Sequence, residues 1–360
     1  MHVAGEDCRE ARLQSSMATE GVQSQAFDVV ATYKRLLSED EELTMPVAAI
    51  ESLILAIAST PSSTVSETLD LVSKRTAELK SAIPNSISLS AGTDLFQQYL
   101  IGNLQRPSAR VDFEQIRAHL VQNGKVIVQR AKAARHTIAS LGRYFIRDGN
   151  VILTNGGSRV VGSLLRNAAE SGNSNGSIRF KVIYVLSSNS SAAEGESADN
   201  IAALRERDIP VAAIPATAVA YSMDQVTQCF VGAEGVVENG GIVSRMGTYQ
   251  MAMLAKAANK PFYVVSESHK FVRLYPLTQQ DLGIEQNVVD FRTANGFADD
   301  GTGSDEGIAD IEHSRTDKQV ISGPDEAVDY TPPHLISGII TENGVLLPSA
   351  VSEELIKVWF

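Results

Sequence analysis

The stretch that most constrains the fold is residues 230–271, beyond the middle of the sequence. It starts inside an apolar run, 229–231, that is typical of a buried strand in a parallel sheet. A glycine-rich segment follows, then a helical pattern over 246–257 and a second apolar run over 262–265. Strand, glycine loop, helix and strand in this order form one repeating unit of a parallel α/β sheet.

The glycine-rich segment carries two carboxylates, Glu234 and Glu238, among the glycines at positions 232, 235, 240 and 241. Glycine suits a place where the backbone turns sharply or lies against a ligand. Ligands of parallel sheets bind beyond the carboxyl ends of the strands, which is where Glu234 would lie. We therefore expect a ligand site around Glu234.

The same alternation extends over the second half of the chain and predicts a Rossmann-like, doubly wound parallel sheet. Apolar runs of strand length are found at 151–154, 182–186, 211–214, 228–231 and 335–340. Helical patterns between them cover 160–170, 199–207 and 218–226. The sequence lacks the dinucleotide fingerprint G-x-G-x-x-G, so nothing favours a nicotinamide or flavin cofactor.

The first half of the chain has helical periodicity and no strand pattern. Helices are predicted around 27–37, 46–57, 64–79, 90–104 and 112–145. The last of them would bend at Gly124, and Thr64 with Glu67 forms a capping box for the third. The predicted fold class is therefore α/β. A disordered leader at 1–25 precedes an α-helical domain at 26–145 and a Rossmann-like domain at 146–360.

Composition and charge narrow the classes of partner and compartment. The net charge of −12 does not attract nucleic acid or an anionic membrane. The two cysteines, Cys8 and Cys229, lie in the predicted leader and in a predicted buried strand, so a disulfide framework is not expected. No apolar run approaches the ~20 residues that span a bilayer. We expect a cytosolic protein that contacts neither membrane nor nucleic acid directly.

The sheet domain contains an acidic, loop-like insertion at about 298–327. Its composition is typical of a solvated, mobile loop. An acidic docking motif is the alternative interpretation.

The run Glu234-Gly-Val-Val-Glu-Asn-Gly-Gly241 carries a family resemblance. It resembles the signature of a family that joins the regulatory subunits of translation initiation factor 2B with sugar-phosphate aldose–ketose isomerases. Methylthioribose-1-phosphate isomerase is one of these enzymes. The likeness extends from about residue 27 to the C-terminus, and the segment 346–356 is again similar to the alpha branch of the regulatory subunits.

The resemblance implies where isomerase chemistry would be located. In those enzymes a cysteine after the first strand of the sheet domain and an aspartate in the glycine-rich stretch move protons between sugar C1 and C2. The matching positions here are Gly156, which has no proton to give, and Glu234. The family's Asn-Lys pair falls on Ser244-Arg245. These changes imply that isomerisation is lost, and Cys229 does not replace the cysteine because a buried strand holds it.

A phosphate-type pocket would survive without catalysis. Helix N-termini favour anions, and Arg159 and Arg245 are each expected to open a helix. The expected ligand is a sugar phosphate or a nucleotide-like molecule, and the alternative is that both arginines only pair with Glu234, Glu238 or a neighbouring subunit. The histidines show no metal-ligand spacing, so no metal site is expected. The predicted pocket residues are Thr154, Asn155, Ser158, Arg159, Glu234, Ser244 and Arg245.

The resemblance implies a non-catalytic regulatory subunit of the guanine-nucleotide exchange factor that acts on initiation factor 2. Such a subunit would form a homodimer that bridges the beta, gamma, delta and epsilon subunits. It would also sense the phosphorylated alpha subunit of initiation factor 2 and thereby lower translation initiation. The alternative is an active sugar-phosphate isomerase of the same fold.

Two features of the sequence bear on those partners. Apolar residues at 246–258 and at 356–360 predict a subunit contact in the sheet domain. Basic residues of the helical domain could contact a phosphoserine directly, or the helical surface could recognise a partner loop that phosphorylation has reshaped. The basic candidates are Lys74, Arg75, Lys80, Arg130, Lys132 and Arg135.

Overall fold

The computed structural model describes residues 27–40, 43–60, 64–104, 113–170, 179–186, 191–289, 321–322 and 327–359. Within these residues the chain has the predicted α/β fold, with helices first and a mostly parallel sheet after them. The predicted leader at 1–25 and nearly all of the acidic insertion lie outside the described residues. No helix in the part described is long and apolar enough to cross a membrane.

The helical half is built around one central helix. Its helices are α1 Val29–Glu39, α2 Met45–Ser59, α3 Val65–Ala82, α4 Ile87–Leu104 and α5 Phe113–Gly142. Helix α2 is buried on several sides because Ala48, Ile50 and Leu53 are all fully buried. The predicted cap at Thr64 is confirmed, since its side chain accepts a hydrogen bond from the backbone N–H of Glu67 at 3.2 Å.

Gly124 does not interrupt α5, which is continuous α-helix through this position. A Cβ atom at Gly124 would lie 2.7 Å from Ile54 Cδ1, so the glycine lets α5 pack closely on α2. The expected bend is therefore replaced by a close helix–helix contact. Helix α5 also joins the two halves, because Val128 packs in the helical core and Ile138 packs in a core of the sheet half.

The sheet half contains a seven-stranded sheet in the order β13-β12-β7-β4-β1-β2-β3. All neighbouring pairs are parallel except β12 with β13. The strands are β1 Val151–Asn155, β2 Lys181–Leu186, β3 Val211–Pro215, β4 Gln228–Gly232, β7 Phe262–Val265, β12 Gly338–Thr341 and β13 Gly344–Leu346. The helices that accompany it are α6 Arg159–Glu170, α7 Ser191–Arg205, α8 Val219–Ser222, α9 Thr248–Ala257 and α10 Val351–Trp359.

The glycine-rich segment forms a β-hairpin, so the expected loop leading directly into a helix is wrong. The hairpin belongs to a second sheet of order β11-β6-β5-β8, with a separate short pair of β9 and β10 nearby in the sequence. These strands are β5 Gly235–Val237, β6 Ile242–Arg245, β8 Phe271–Val272, β9 Gln286–Asn287, β10 Ile321–Ser322 and β11 Val328–Thr331. Strands as short as β5 and β6 give only a weak alternation of apolar and polar residues, and the surrounding glycines obscure it.

Gly240 shows what the glycines of this hairpin accommodate. Its φ is +82°, and a Cβ atom there would lie 2.1 Å from the carbonyl oxygen of Pro348. The close neighbour is therefore the chain's own backbone and not a ligand.

The helix expected at 218–226 is also mostly absent. Only the single turn α8 forms. Val226 is instead fully buried, and the Thr227 hydroxyl accepts a hydrogen bond from the N–H of Val151. Tertiary contacts with β1 and the core override the helical pattern here.

Candidate functional site

A cleft of about 150 Å³ lies where the helical half meets the carboxyl ends of the central strands. Its sheet side is formed by the loop between β1 and α6 and by residues after β4, at the end of β6 and after β7. Its helical side is formed by Thr44, Met45, Ser88 and Arg135. The cleft is therefore at the edge where parallel sheets hold ligands.

The loop after β1 leads into the amino end of α6. Asn155 donates a hydrogen bond from Nδ2 to Thr248 Oγ1 at 2.8 Å. Ser158 lies just before α6, and its Oγ is 3.5 Å from the N–H of Val161. Ser158 approaches Gly232 so closely that a Cβ atom there would lie 2.3 Å from Ser158 Oγ. The amino end of α6 thus opens into the cleft, where its dipole favours an anion.

The two predicted arginines are near the cleft but are already engaged. Arg159 donates from Nη1 to the carbonyl oxygen of Leu43 at 3.1 Å. Arg245 Nε lies 3.4 Å from Glu234 Oε1, and Asn85 donates to Glu234 Oε2. The alternative interpretation, in which the arginines only form ion pairs, expected this pairing of Arg245 with Glu234.

Six of the seven predicted residues line the cleft, and Thr154 does not. Thr154 is buried in β1, where its hydroxyl has no hydrogen-bond partner among the described residues. Whether these residues bind a ligand stays a prediction.

One local expectation within this set is wrong. Arg245 does not open a helix, since it ends β6 and α9 begins three residues later at Thr248. Ser244, the preceding residue of β6, is buried, and its Oγ donates to the carbonyl oxygen of Gly232 at 2.9 Å. The difference at Arg245 follows from the hairpin, because this residue belongs to a strand.

Sequence reasoning missed an ionic cluster at the back of the cleft. Glu267 is buried, with Lys270 Nζ 3.0 Å from its Oε2 and Arg135 Nε 3.9 Å from its Oε1. Burial by itself raises the pKa of Glu267, but the charge of Lys270 foremost, together with the neighbouring His269 and local hydrogen bonds, lowers it to about 2. Glu267 is therefore ionised at neutral pH.

A neutral histidine links the two halves beside this cluster. His269 Nε2 lies 3.2 Å from Thr44 Oγ1, a contact between the sheet half and the start of α2. Burial lowers the pKa of His269 to about 4, against the raising effect of Glu267. Glu267 and His269 follow β7, so the strand-end rule could have found them, whereas Arg135 required the packing of α5.

The groups that would perform isomerase proton transfer are changed or inaccessible. Gly156 has φ +61°, and a Cβ atom there would have Arg245 Cγ as its nearest neighbour at 3.9 Å. Cys229 is fully buried in β4, as predicted, and burial raises the pKa of its thiol to about 12. Among the described residues, no group of three or more His, Cys, Asp or Glu side chains could hold a metal ion.

The fold and cleft define a class of protein: a two-part α/β chain whose helical half covers the ligand edge of a Rossmann-like sheet. Residues 39–348 match the sequence profile of the Initiation factor 2 subunit family. The chain is 36% identical over 335 residues to translation initiation factor eIF2B subunit alpha of Dictyostelium discoideum, covering 92% of this chain and 97% of the relative. The chain therefore belongs to the Initiation factor 2 subunit family.

Two further comparisons show the breadth of the family and its fold. A ribose 1,5-bisphosphate isomerase of Archaeoglobus fulgidus is 27% identical over 235 residues, covering 65% of this chain and 66% of the enzyme. A crystal structure of the tetrameric eIF2B-beta2-delta2 complex from C. thermophilum contains a chain with a TM-score of 0.66 at 17% identity. That match covers 97% of this chain and 99% of the other, and at this identity it shows the shared fold alone.

Proposed function

We propose that this chain is a non-catalytic regulatory subunit of the cytosolic guanine-nucleotide exchange factor for initiation factor 2. The observation that carries the proposal is the 36% identity to an alpha subunit over nearly the full length of both chains. The glycine at position 156 agrees with it, because this residue cannot serve as the acid that isomerisation needs. Exchange chemistry would then belong to another subunit.

The proposed partners are a second copy of the chain and the beta, gamma, delta and epsilon subunits. Support for a contact surface comes from exposed apolar side chains of the sheet half, which include Met253, Val345, Leu347 and Ile356. Most of the apolar helix that motivated the expectation is used internally, since Met251, Ala252 and Ala255 are buried. The surface is therefore proposed around β13 and α10, with α9 contributing Met253.

The helical half is the proposed sensor of the phosphorylated alpha subunit of initiation factor 2. Three of its basic candidates have acidic partners within the half: Arg75 with Glu78, Lys80 with Asp94, and Lys132 with Asp40. Arg135 faces the cleft. Lys74 and Arg130 are exposed. These pairings favour recognition of the partner's shape over a cluster of arginines on the phosphate.

The cleft is proposed to hold a small anion of the sugar-phosphate class. Support comes from the amino end of α6 and from the cationic side chains of Arg159 and Arg245 around it. Nothing in this proposal requires turnover of the ligand.

An active sugar-phosphate isomerase is the second candidate. The relative named ribose 1,5-bisphosphate isomerase favours it, and so does the position of the cleft at the edge where parallel sheets hold ligands. The glycine at 156 and the buried, protonated Cys229 disfavour it.

Purification from cytosol under native conditions, followed by mass spectrometry, separates these functions. A tagged regulatory subunit should bring four other polypeptides of the exchange factor with it, and an isomerase should bring none. Recovery of the chain alone from cytosol that contains the other subunits would overturn the proposed function. The variant Leu347→Asp, which changes the proposed surface of the sheet half, tests whether the subunits are bound through that surface.

A further inference from the structure

Three polar contacts between the two halves lie beside the cleft. Arg159 reaches the carbonyl oxygen of Leu43, Asn85 reaches Glu234, and Thr44 contacts His269. Arg159, Glu234 and Thr44 are also lining residues of the cleft. A molecule that enters the cleft must therefore share or displace groups that now hold the halves together.

Arg135 makes a further contact from the helical side. It lies on α5, and only 12% of its side chain is exposed. Its Nε is 3.9 Å from Glu267 Oε1, whereas Lys270 approaches the other oxygen of the same carboxylate to 3.0 Å. Glu267 is thus held firmly by its own segment and only loosely by α5.

The cleft has an excess of positive charge. Its lining contains four cationic side chains, those of Arg135, Arg159, Arg245 and Lys270. The carboxylates of Glu234 and Glu267 are the acidic groups of the same lining. Cationic side chains therefore outnumber acidic ones in the lining, which favours an anion over a cation in this space.

We propose that Arg135 is an anion-binding residue of the cleft, contributed by the helical half, and that a bound phosphate group competes with Glu267 for its guanidinium. This inference rests on the proposed ligand of the cleft. Because α5 carries Arg135, occupancy of the cleft shifts the position of α5 relative to the sheet. A bound ligand would then change the affinity of the chain for a partner that contacts α5. By linkage, that partner changes the affinity of the cleft for the ligand by the same factor.

The proposal assigns Arg135 to the ligand and removes it from the candidates for a partner's phosphate. Lys132, one turn earlier on the same helix, is exposed and pairs with Asp40. Two basic residues on one helix thus serve different surfaces. Arg135, which would bind the ligand, and Lys132, on the exposed surface, therefore belong to one rigid helix.

Inorganic phosphate and ribose 5-phosphate, titrated by calorimetry into the full chain, test the proposal. Arg135→Gln should weaken binding of both by about tenfold or more, since a charge-assisted hydrogen bond is lost. Lys125→Gln, an exposed cation on the same helix, should change binding by less than about twofold. Arg135→Lys, which keeps the charge and loses the planar fork, should give an intermediate affinity.

Glu267→Gln supplies a readout that a merely structural role would not change. Removing the competing charge should tighten phosphate binding several-fold, and this gain should disappear in the double variant with Arg135→Gln. Hydrogen exchange should respond to phosphate in α5 and at the start of α2 in the natural chain. In Arg135→Gln the response should be confined to the loop between β1 and α6.

The outcomes separate this inference from the proposals beneath it. An Arg135→Gln variant that binds as the natural chain does, while Arg159→Gln does not, would overturn the role of Arg135 and leave the cleft ligand standing. A gain from Glu267→Gln that persists undiminished in the double variant would overturn the competition. Absence of any binding by the natural chain would overturn both, while copurification with the four subunits would still support the regulatory function.

Discussion

Gly156 and Glu234 occupy the two positions at which the family resemblance places the proton-transfer groups of an isomerase. Gly156 adopts a left-handed backbone conformation, φ +61°, which side chains rarely adopt. Glu234 is engaged by Arg245 and Asn85, so both oxygens of its carboxylate already have partners.

We therefore expect catalytic silence. The purified chain should not interconvert methylthioribose-1-phosphate or ribose 1,5-bisphosphate above the uncatalysed rate, as measured by phosphorus NMR. The Gly156→Cys variant should also be inactive, because φ at this position strains a side chain. Robust turnover that Glu234→Gln abolishes would contradict this expectation.

Asp329 predicts an unusual dependence of stability on pH. Its Oδ2 accepts hydrogen bonds from the N–H groups of Gly247 and Tyr249, at 2.7 and 3.1 Å, at the amino end of α9. Burial raises the pKa of Asp329 to about 7, although those bonds lower it. Between about pH 4 and 7 the folded chain holds a proton that the unfolded chain has released, so its stability falls as pH rises.

The Asp329→Asn variant should lose this decline. The slope that Asp329 contributes is at most about 1.4 kcal/mol per pH unit in that window. Urea unfolding at pH 5, 6, 7 and 8 measures it. Asp281→Asn is the control, because hydrogen bonds to Thr278 and Leu277 lower the pKa of that exposed carboxyl, the opposite direction. Parallel pH profiles for the natural chain and Asp329→Asn would refute the assignment.

Among the elements, α4 contains two glycines with opposite roles. A Cβ atom at Gly92 would lie 2.4 Å from the carbonyl oxygen of Pro46, on the neighbouring helix α2. A Cβ atom at Gly102, on the same helix, would meet nothing within 4 Å. Gly92 is therefore required by the close crossing of α4 and α2, whereas Gly102 only lowers helix propensity.

The matched pair Gly92→Ala and Gly102→Ala tests this crossing. Gly92→Ala should lower the free energy of unfolding by about 1–3 kcal/mol, because the backbones of α4 and α2 would have to move apart. Gly102→Ala should raise it by about 0.5–1 kcal/mol through better helix propensity. Chemical denaturation measures both. Equal effects of the two substitutions would show that the helices do not cross as described.

At the scale of the whole molecule, exposed apolar side chains of the sheet half are the reason for predicting self-association. Leu347 is 63% exposed and Ile356 is 56% exposed, values that are high for large apolar residues. We expect a homodimer by sedimentation at micromolar concentration, and Leu347→Asp with Ile356→Asp should shift it to monomer. Tyr144→Ser, on the helical half, should leave it dimeric. A monomeric natural chain would overturn this prediction.

The proposed recognition of the phosphorylated partner also belongs to this scale, because we expect it to involve the whole helical surface. With Lys74 and Arg130 changed to Ala, we expect equal, small losses of affinity for the phosphorylated and unphosphorylated partner, measured across salt concentrations. A selective loss of ~1.5–3 kcal/mol per bond for the phosphorylated form would instead indicate direct contact with the phosphate. In that case the affinity of the variant for the phosphorylated partner would also depend less on salt concentration.

The sequence by itself determined the local features of this protein. Apolar runs of strand length located β1, β2, β4 and β7, since both faces of a central parallel strand are buried. An apolar run located β3 as well, although β3 is an edge strand with exposed residues. Capping at Thr64 and the start of α6 at Arg159 were likewise predictable from neighbouring residues. The strand-end rule, applied to Glu234, and the family resemblance together predicted six residues that line one cleft.

Only the tertiary structure decided what depends on contacts between distant segments. The hairpin of β5 and β6 is stabilised by pairing with β11 and β8, about 30 to 90 residues away, which no local pattern reports. The placement of Arg135 beside Glu267 depends on how α5 packs across both cores. Local propensity acts over a few residues, whereas the cleft is made where two separately patterned halves meet.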